Sequence, residues 1–254
     1  MLPIKNIEDY VRIETRGADS IIHDFSHLKR TADGAVWFVR MLGGTKEEEE
    51  LAYIAGLLHD IVRPVSEKIC HAEASAKRST QILKKFNLDE ETMGRIVLAV
   101  RDHRKKSEWV SPLHQSVFLA DKILEQMGAY VIFRRAYYVG ECTDYKDVPY
   151  MEAFISHFNY RLKKFSLQDF PARFRRLVEY QLKWIKDFTR VLEGGDKWAV
   201  DLSKKAYDQA RAGKKNLDDF IMNYAPQNIQ GEKIRQEAVK YIEGNKFREF
   251  EKLV

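Results

Sequence analysis

Apolar residues step by three and four along almost the whole chain, and no convincing alternating strand interrupts them. That spacing stacks side chains on one face of a helix, whereas a half-buried strand needs a repeat of two. Leu28, Thr31, Ala35, Phe38 and Leu42 follow it and stop at Gly43-Gly44. Leu51, Ile54, Ala55, Leu58 and Val62 repeat it, with Pro64 as the stop. Ala72, Ala76, Ser79, Leu83 and Phe86 mark a third helix, closed near Asn87. Asp89, Glu90 and Glu91 then put negative charge where a helix dipole favours it, ahead of a stripe of Met93, Ile96, Val97 and Val100. Ser111-Pro112 reads as the N-cap and first residue of a helix striped by Val117, Ala120, Leu124 and Met127. A long amphipathic helix is expected from Pro171 to Leu192. The fold class expected is all-α.

Gly194-Gly195 is the expected boundary between a helical domain, 1–195, and a C-terminal helical extension, 196–254. The extension reads as shorter helices around 197–212, 217–224, 231–243 and 246–253, in which Tyr207, Phe220, Ile221 and Tyr224 are expected as docked core. Residues 140–149 form the longest irregular stretch.

Hydrophobic content of 44% with 32% charged residues suits a globular protein able to bury a core. Cys70 and Cys142 are the only cysteines, which excludes a disulfide framework and fits a reducing compartment. The first residues lack a signal peptide's apolar core, and no apolar run approaches a membrane span, so a cytoplasmic location is expected. Net charge is +5, but 43 basic residues are mixed with 38 acidic ones. That balance permits an anionic ligand. Without a basic stripe carrying interleaved aromatics, nucleic acid ranks last among partners.

The chemistry concentrates at His59-Asp60, which ends the apolar run from Leu51. His27 lies upstream, and His71, His103 and Asp121 downstream. Imidazoles and carboxylates converging on one point suit a divalent metal with mixed nitrogen and oxygen preference, such as Mn²⁺, Fe²⁺, Co²⁺, Ni²⁺ or Zn²⁺. Asp121 sits at the edge of an otherwise apolar face, where an ionised carboxylate needs a partner. A bound cation supplies one; the alternative is a salt bridge to Arg or Lys. His23 or His27 is expected to stand outside the ligand set, and His114 and His157 lack ligand spacing.

In their order these residues resemble a known family. His23-Asp24-Phe25-Ser26-His27 with Arg30 is similar to the opening motif of the HD-domain metal-dependent phosphohydrolases, and Leu57-Leu58-His59-Asp60-Ile61 to the signature that names the superfamily. Residues 71–76 (HAEASA) and 100–104 (VRDHR) resemble the later histidine positions of its stand-alone members. Ala120-Asp121-Lys122, then Gly128-Ala129, Arg134 and Gly140, resemble its last aspartate segment, and His157-Phe158 with the helix after it also fits. The likeness spans about residues 20–192; the segment after Gly195 matches nothing familiar.

The resemblance implies an HD-type helical bundle with additional C-terminal helices and a metal gripped by His27, His59, Asp60 and Asp121. His71 and His103 stand where some relatives hold a second metal and others bind phosphate, so one ion is expected with room for a second; Mg²⁺ joins the list of candidate ions. Leu119 replaces an acid common in close relatives, and Glu125 a shorter one, which leaves the substrate open. The expected activity is hydrolysis of a phosphoester or phosphoanhydride, a nucleotide foremost. Asp60, His103 and Lys122 are the candidate catalytic residues, and Arg30, Arg104 and Arg134 the candidate substrate clamps. A di-iron oxygenase using the same six ligands is the alternative. So is a non-catalytic nucleotide-sensing module whose segment 196–254 makes a homo-oligomer.

Overall fold

A computed structural model describes residues 2–16, 24–62, 70–106, 108–213 and 216–254. Among these the regular elements are helices, and none is a strand. They form two compact units that divide after Leu124. Among the described residues no helix is long and apolar enough to cross a membrane.

The first unit opens with α1 (Ile4–Glu14), which the sequence reading did not assign; Ile7 and Val11 bury its one apolar stripe. Next come α2 (Phe25–Met41) and α3 (Lys46–Leu58). Thr45 starts α3 with a reciprocal capping box to Glu48, satisfying amides that a helix start leaves open. Arg40 bonds Glu49 near the turn, while Gly56 lies against Ala32 further along, so the two helices run antiparallel. A Cβ on Gly56 would stand 2.4 Å from Ala32 Cα and 2.7 Å from its amide nitrogen. Only glycine permits this approach. It brings the start of α2 beside the end of α3.

Helices α4 (His71–Lys85) and α5 (Glu90–Asp102) pack as a second pair. Asn87, at φ 56°, turns the chain between them, and the Asp89 carboxylate caps α5 at Thr92 N–H, 2.8 Å away. Helix α6 (Pro112–Leu119) begins at the Ser111 cap with proline in its first turn, as read from the sequence. It does not continue as an α-helix to Met127: Ala120–Leu124 form a π-helical turn packed on α2. Pro64 and His23 lie outside the described residues.

The second unit is built around α7 (Ala129–Glu141). Helices α8 (Tyr150–Lys164), α9 (Arg175–Glu193), α10 (Lys197–Arg211), α11 (Leu217–Asn223) and α12 (Ile229–Ile242) all pack on it or on one another, with α13 (Phe247–Phe250) at the end. Helix α7 packs tightly on α10, where a Cβ on Gly140 would come within 2.6 Å of the Tyr207 carbonyl oxygen. Tyr241 on α12 donates to the buried Glu125 carboxylate. Residues after Gly195 therefore help build this unit's core, and Gly194-Gly195 is a turn between α9 and α10 in place of the domain boundary expected there. Gly140 and Glu141 finish α7, and Thr143–Tyr145 form a single 3-10 turn, so residues 140–149 are less irregular than expected.

Candidate metal centre

His59 and His103 occupy the same local position, the residue that caps the C-terminus of α3 and of α5. A helix end leaves its last carbonyls unsatisfied, and each imidazole answers one of them. His59 Nδ1 bonds Gly56 O at 2.7 Å, and His103 Nδ1 bonds Val100 O at 2.6 Å. A carbonyl oxygen can only accept, so Nδ1 carries the hydrogen on both rings and Nε2 presents its lone pair. Both Nε2 atoms are buried and make no hydrogen bond.

Those lone pairs meet Asp60. Its Oδ2 lies 3.6 Å from His59 Nε2 and 3.7 Å from His27 Nε2. Its Oδ1 lies 3.6 Å from His103 Nε2 and 3.5 Å from His71 Nε2. These separations are too long for hydrogen bonds. They suit atoms sharing an ion, since two ligands about 2.1 Å from a tetrahedral metal stand about 3.4 Å apart. Two donor triads result, His27–His59–Asp60 and Asp60–His71–His103, each with its donor atoms within 4.8 Å of one another. The carboxylate is shared, with one oxygen turned to each pair of imidazoles. His27, His59, Asp60 and His103 are buried, while the His71 side chain is 21% exposed.

Electrostatics keep the histidines ready to ligate. Burial pushes His103 down to about 3, against the pull of Asp60 and aided by the charge of Lys122. Burial lowers His59 as well. Both are neutral at pH 7, the form that binds metal.

The π-turn carries Asp121 and Lys122, both buried although adjacent in sequence. Asp121 Oδ2 accepts from Lys122 Nζ, which is the salt bridge weighed against a metal for this residue. Burial works to raise its pKa, but Lys122, His59 and His103 hold the carboxyl well below its usual range, so it is ionised. Its charge acts on His59 and His103, yet its oxygens belong to neither donor triad among the described residues. π-turns recur at functional sites because the extra residue re-aims side chains, and nothing in the apolar stripe signals one.

The candidate clamps lie on separate elements. Arg30 is buried on α2, one turn after His27. Arg104 is exposed beside His103, with Nη1 3.7 Å from Cys70 Sγ. Arg134 lies in the second unit, buried, donating to the Glu125 carbonyl with the Glu125 carboxylate 3.6 Å away. His157 is also in that unit, with Nδ1 3.1 Å from the Tyr145 hydroxyl.

Residues 24–125 match the family model of the HD domain. The match contains His27, His59, Asp60, His71, His103, Asp121 and Lys122. No curated protein and no solved structure gives a significant match to the chain.

Proposed function

We propose, from the match of residues 24–125 to the HD-domain family, that the chain is a metal-dependent phosphohydrolase acting on a phosphoester or phosphoanhydride, with a nucleotide as the favoured substrate. The observation that carries this reading is Asp60, a buried carboxylate with two imidazole nitrogens facing each oxygen. A cation held between these groups would offset the cost of burying the carboxylate. The donor set of four histidines and a carboxylate fits Mn²⁺, Fe²⁺, Co²⁺, Ni²⁺ or Zn²⁺ better than the all-oxygen preference of Mg²⁺. His27, His59 and Asp60 would hold one ion, with Asp121 as a further candidate ligand. Asp60, His71 and His103 would hold a second.

A divalent ion supplies a Lewis acid and brings the pKa of water in its sphere toward neutrality. The chain's own groups do the rest. Asp60 would orient the attacking water while remaining a ligand. Lys122, buried beside the imidazoles, offsets charge that grows on the phosphoryl oxygens, as does His103 where it is not ligating. Arg30 and Arg104 grip the non-reacting phosphate oxygens, for which a guanidinium offers two parallel donors. His71 is the most open of the four histidines.

Phosphate and pyrophosphate release from a nucleotide panel with added Mn²⁺ tests this. Wild type is expected to release one or the other, and His59→Ala to fall at least 100-fold. Release unaffected by His59→Ala would refute the assignment. The same six residues could serve two irons in an oxygenase, which the shared Asp60 carboxylate also favours; substrate-dependent O₂ uptake by the iron-loaded chain would select that reading.

A further inference from the structure

Asp102, the last residue of α5 and the neighbour of His103, accepts four hydrogen bonds. Arg101 Nε donates to Oδ1 at 3.0 Å and Arg101 Nη2 to Oδ2 at 3.1 Å. Lys105 Nζ donates to Oδ1 at 2.7 Å, and His114 Nε2 to Oδ2 at 3.1 Å. Arg101 and Lys105 approach with half-exposed side chains, whereas His114 is buried. Its ring state follows from its other nitrogen: Nδ1 accepts from the Val110 amide at 3.2 Å, so Nε2 carries the hydrogen given to Asp102. The backbone of His114 is held in turn by the Ser111 cap at 3.1 Å.

The two metal-facing helix ends are thus secured differently. His59 follows Leu58, a fully buried apolar residue, so packing sets the end of α3. His103 follows a carboxylate, and the bond from α6 sets the end of α5. Helix α6 runs straight into the π-turn that carries Asp121 and Lys122. A buried, charge-assisted bond has a narrow distance and angle, so it transmits the placement of α6 to the residue beside it.

We infer that the Asp102–His114 pair is a positioning device that holds His103 Nε2 on the Asp60 carboxylate by pinning the end of α5 to α6. The inference rests on the metal reading above. Neither residue touches the donor triads; both act through the backbone of His103.

The test titrates the full-length chain with Co²⁺, followed by calorimetry and by the visible absorption of the ion. His114→Leu removes the donor, and His114→Gln keeps an N–H near the position of Nε2. The leucine variant should bind Co²⁺ about 10-fold more weakly, the scale on which outer partners of metal ligands act, and with an altered absorption band. The glutamine variant should restore both. Asp102→Asn, which keeps the volume and weakens all four bonds, gives the same reading should the leucine variant not fold. A leucine variant equal to wild type in affinity and band overturns the positioning role, and so does a glutamine variant that falls as far as leucine. Wild type that takes up no Co²⁺ instead sinks the metal reading, and this inference with it.

Discussion

The division of labour between the two oxygens of Asp60 is the smallest unit on which the function turns, because it makes one carboxylate a member of both donor triads. Burial keeps His59 and His103 beside it neutral, and the same physics gives a test away from the metal. His157 is driven down to about 2, first by burial and then by Arg135, Arg161 and Lys164. An unfolded histidine titrates near 6.5, so below that pH the unfolded chain binds a proton that the folded one refuses. Stability contributed by His157 is therefore present above about pH 6.5 and is lost as pH falls toward its folded value. Between pH 7.5 and 5.5 the loss should be about 1.4 kcal/mol, read as a shift of the urea midpoint, and His157→Gln should lack that part of it. At this scale much was legible: the residue types and order at His27, His59, Asp60 and His103 point to a metal, and these residues do meet. What spacing cannot show is which oxygen faces which ring, or that Asp121 is bonded to its own neighbour Lys122. His114 was passed over because its partner, Asp102, is one helix away.

At the scale of elements, the site depends on how closely α2 and α3 approach. Gly56→Ala gains helix propensity but sets a methyl into the backbone of Ala32. Overpacking of this kind costs about 1–3 kcal/mol, roughly equal to or above the ~1 kcal/mol that alanine gains over glycine in a helix. The variant should be destabilised in urea and should bind divalent ion more weakly, because His27 and His59 move apart with their helices. Unchanged binding would mean that the helix pair does not set the ligand spacing. Helices with clean stripes and side-chain caps, such as α2, α5 and the start of α6, were readable because cap and stripe agree. Helix α1 was not, since only Ile7 and Val11 are buried among its charges. The π-turn was hidden for another reason: its residues are buried all round, so no periodicity marks the change of pitch.

For the whole molecule, both donor triads, Asp121 and Lys122 belong to the first compact unit. The second has its own core, to which the last 59 residues contribute α10, α11, α12 and α13. Ending the chain after Gly195 would strip α7 of the helix packed along Gly140 and leave Glu125 without its tyrosine donor. Such a chain should lose the cooperative unfolding of the second unit and aggregate; one that stays soluble with the same helicity per residue would show that these helices are an appendage after all. Glycine pairs are honest turn signals, but a turn between packed helices and a domain boundary look alike in sequence, which is why Gly194-Gly195 misled. The most direct test of the metal centre is an ion count by elemental analysis of the purified chain after Mn²⁺ or Fe²⁺ loading. Two ions per wild-type chain, and neither in Asp60→Ala of normal helicity, is the predicted result. An Asp60→Ala chain that keeps both ions, or a wild type that holds none, would contradict it.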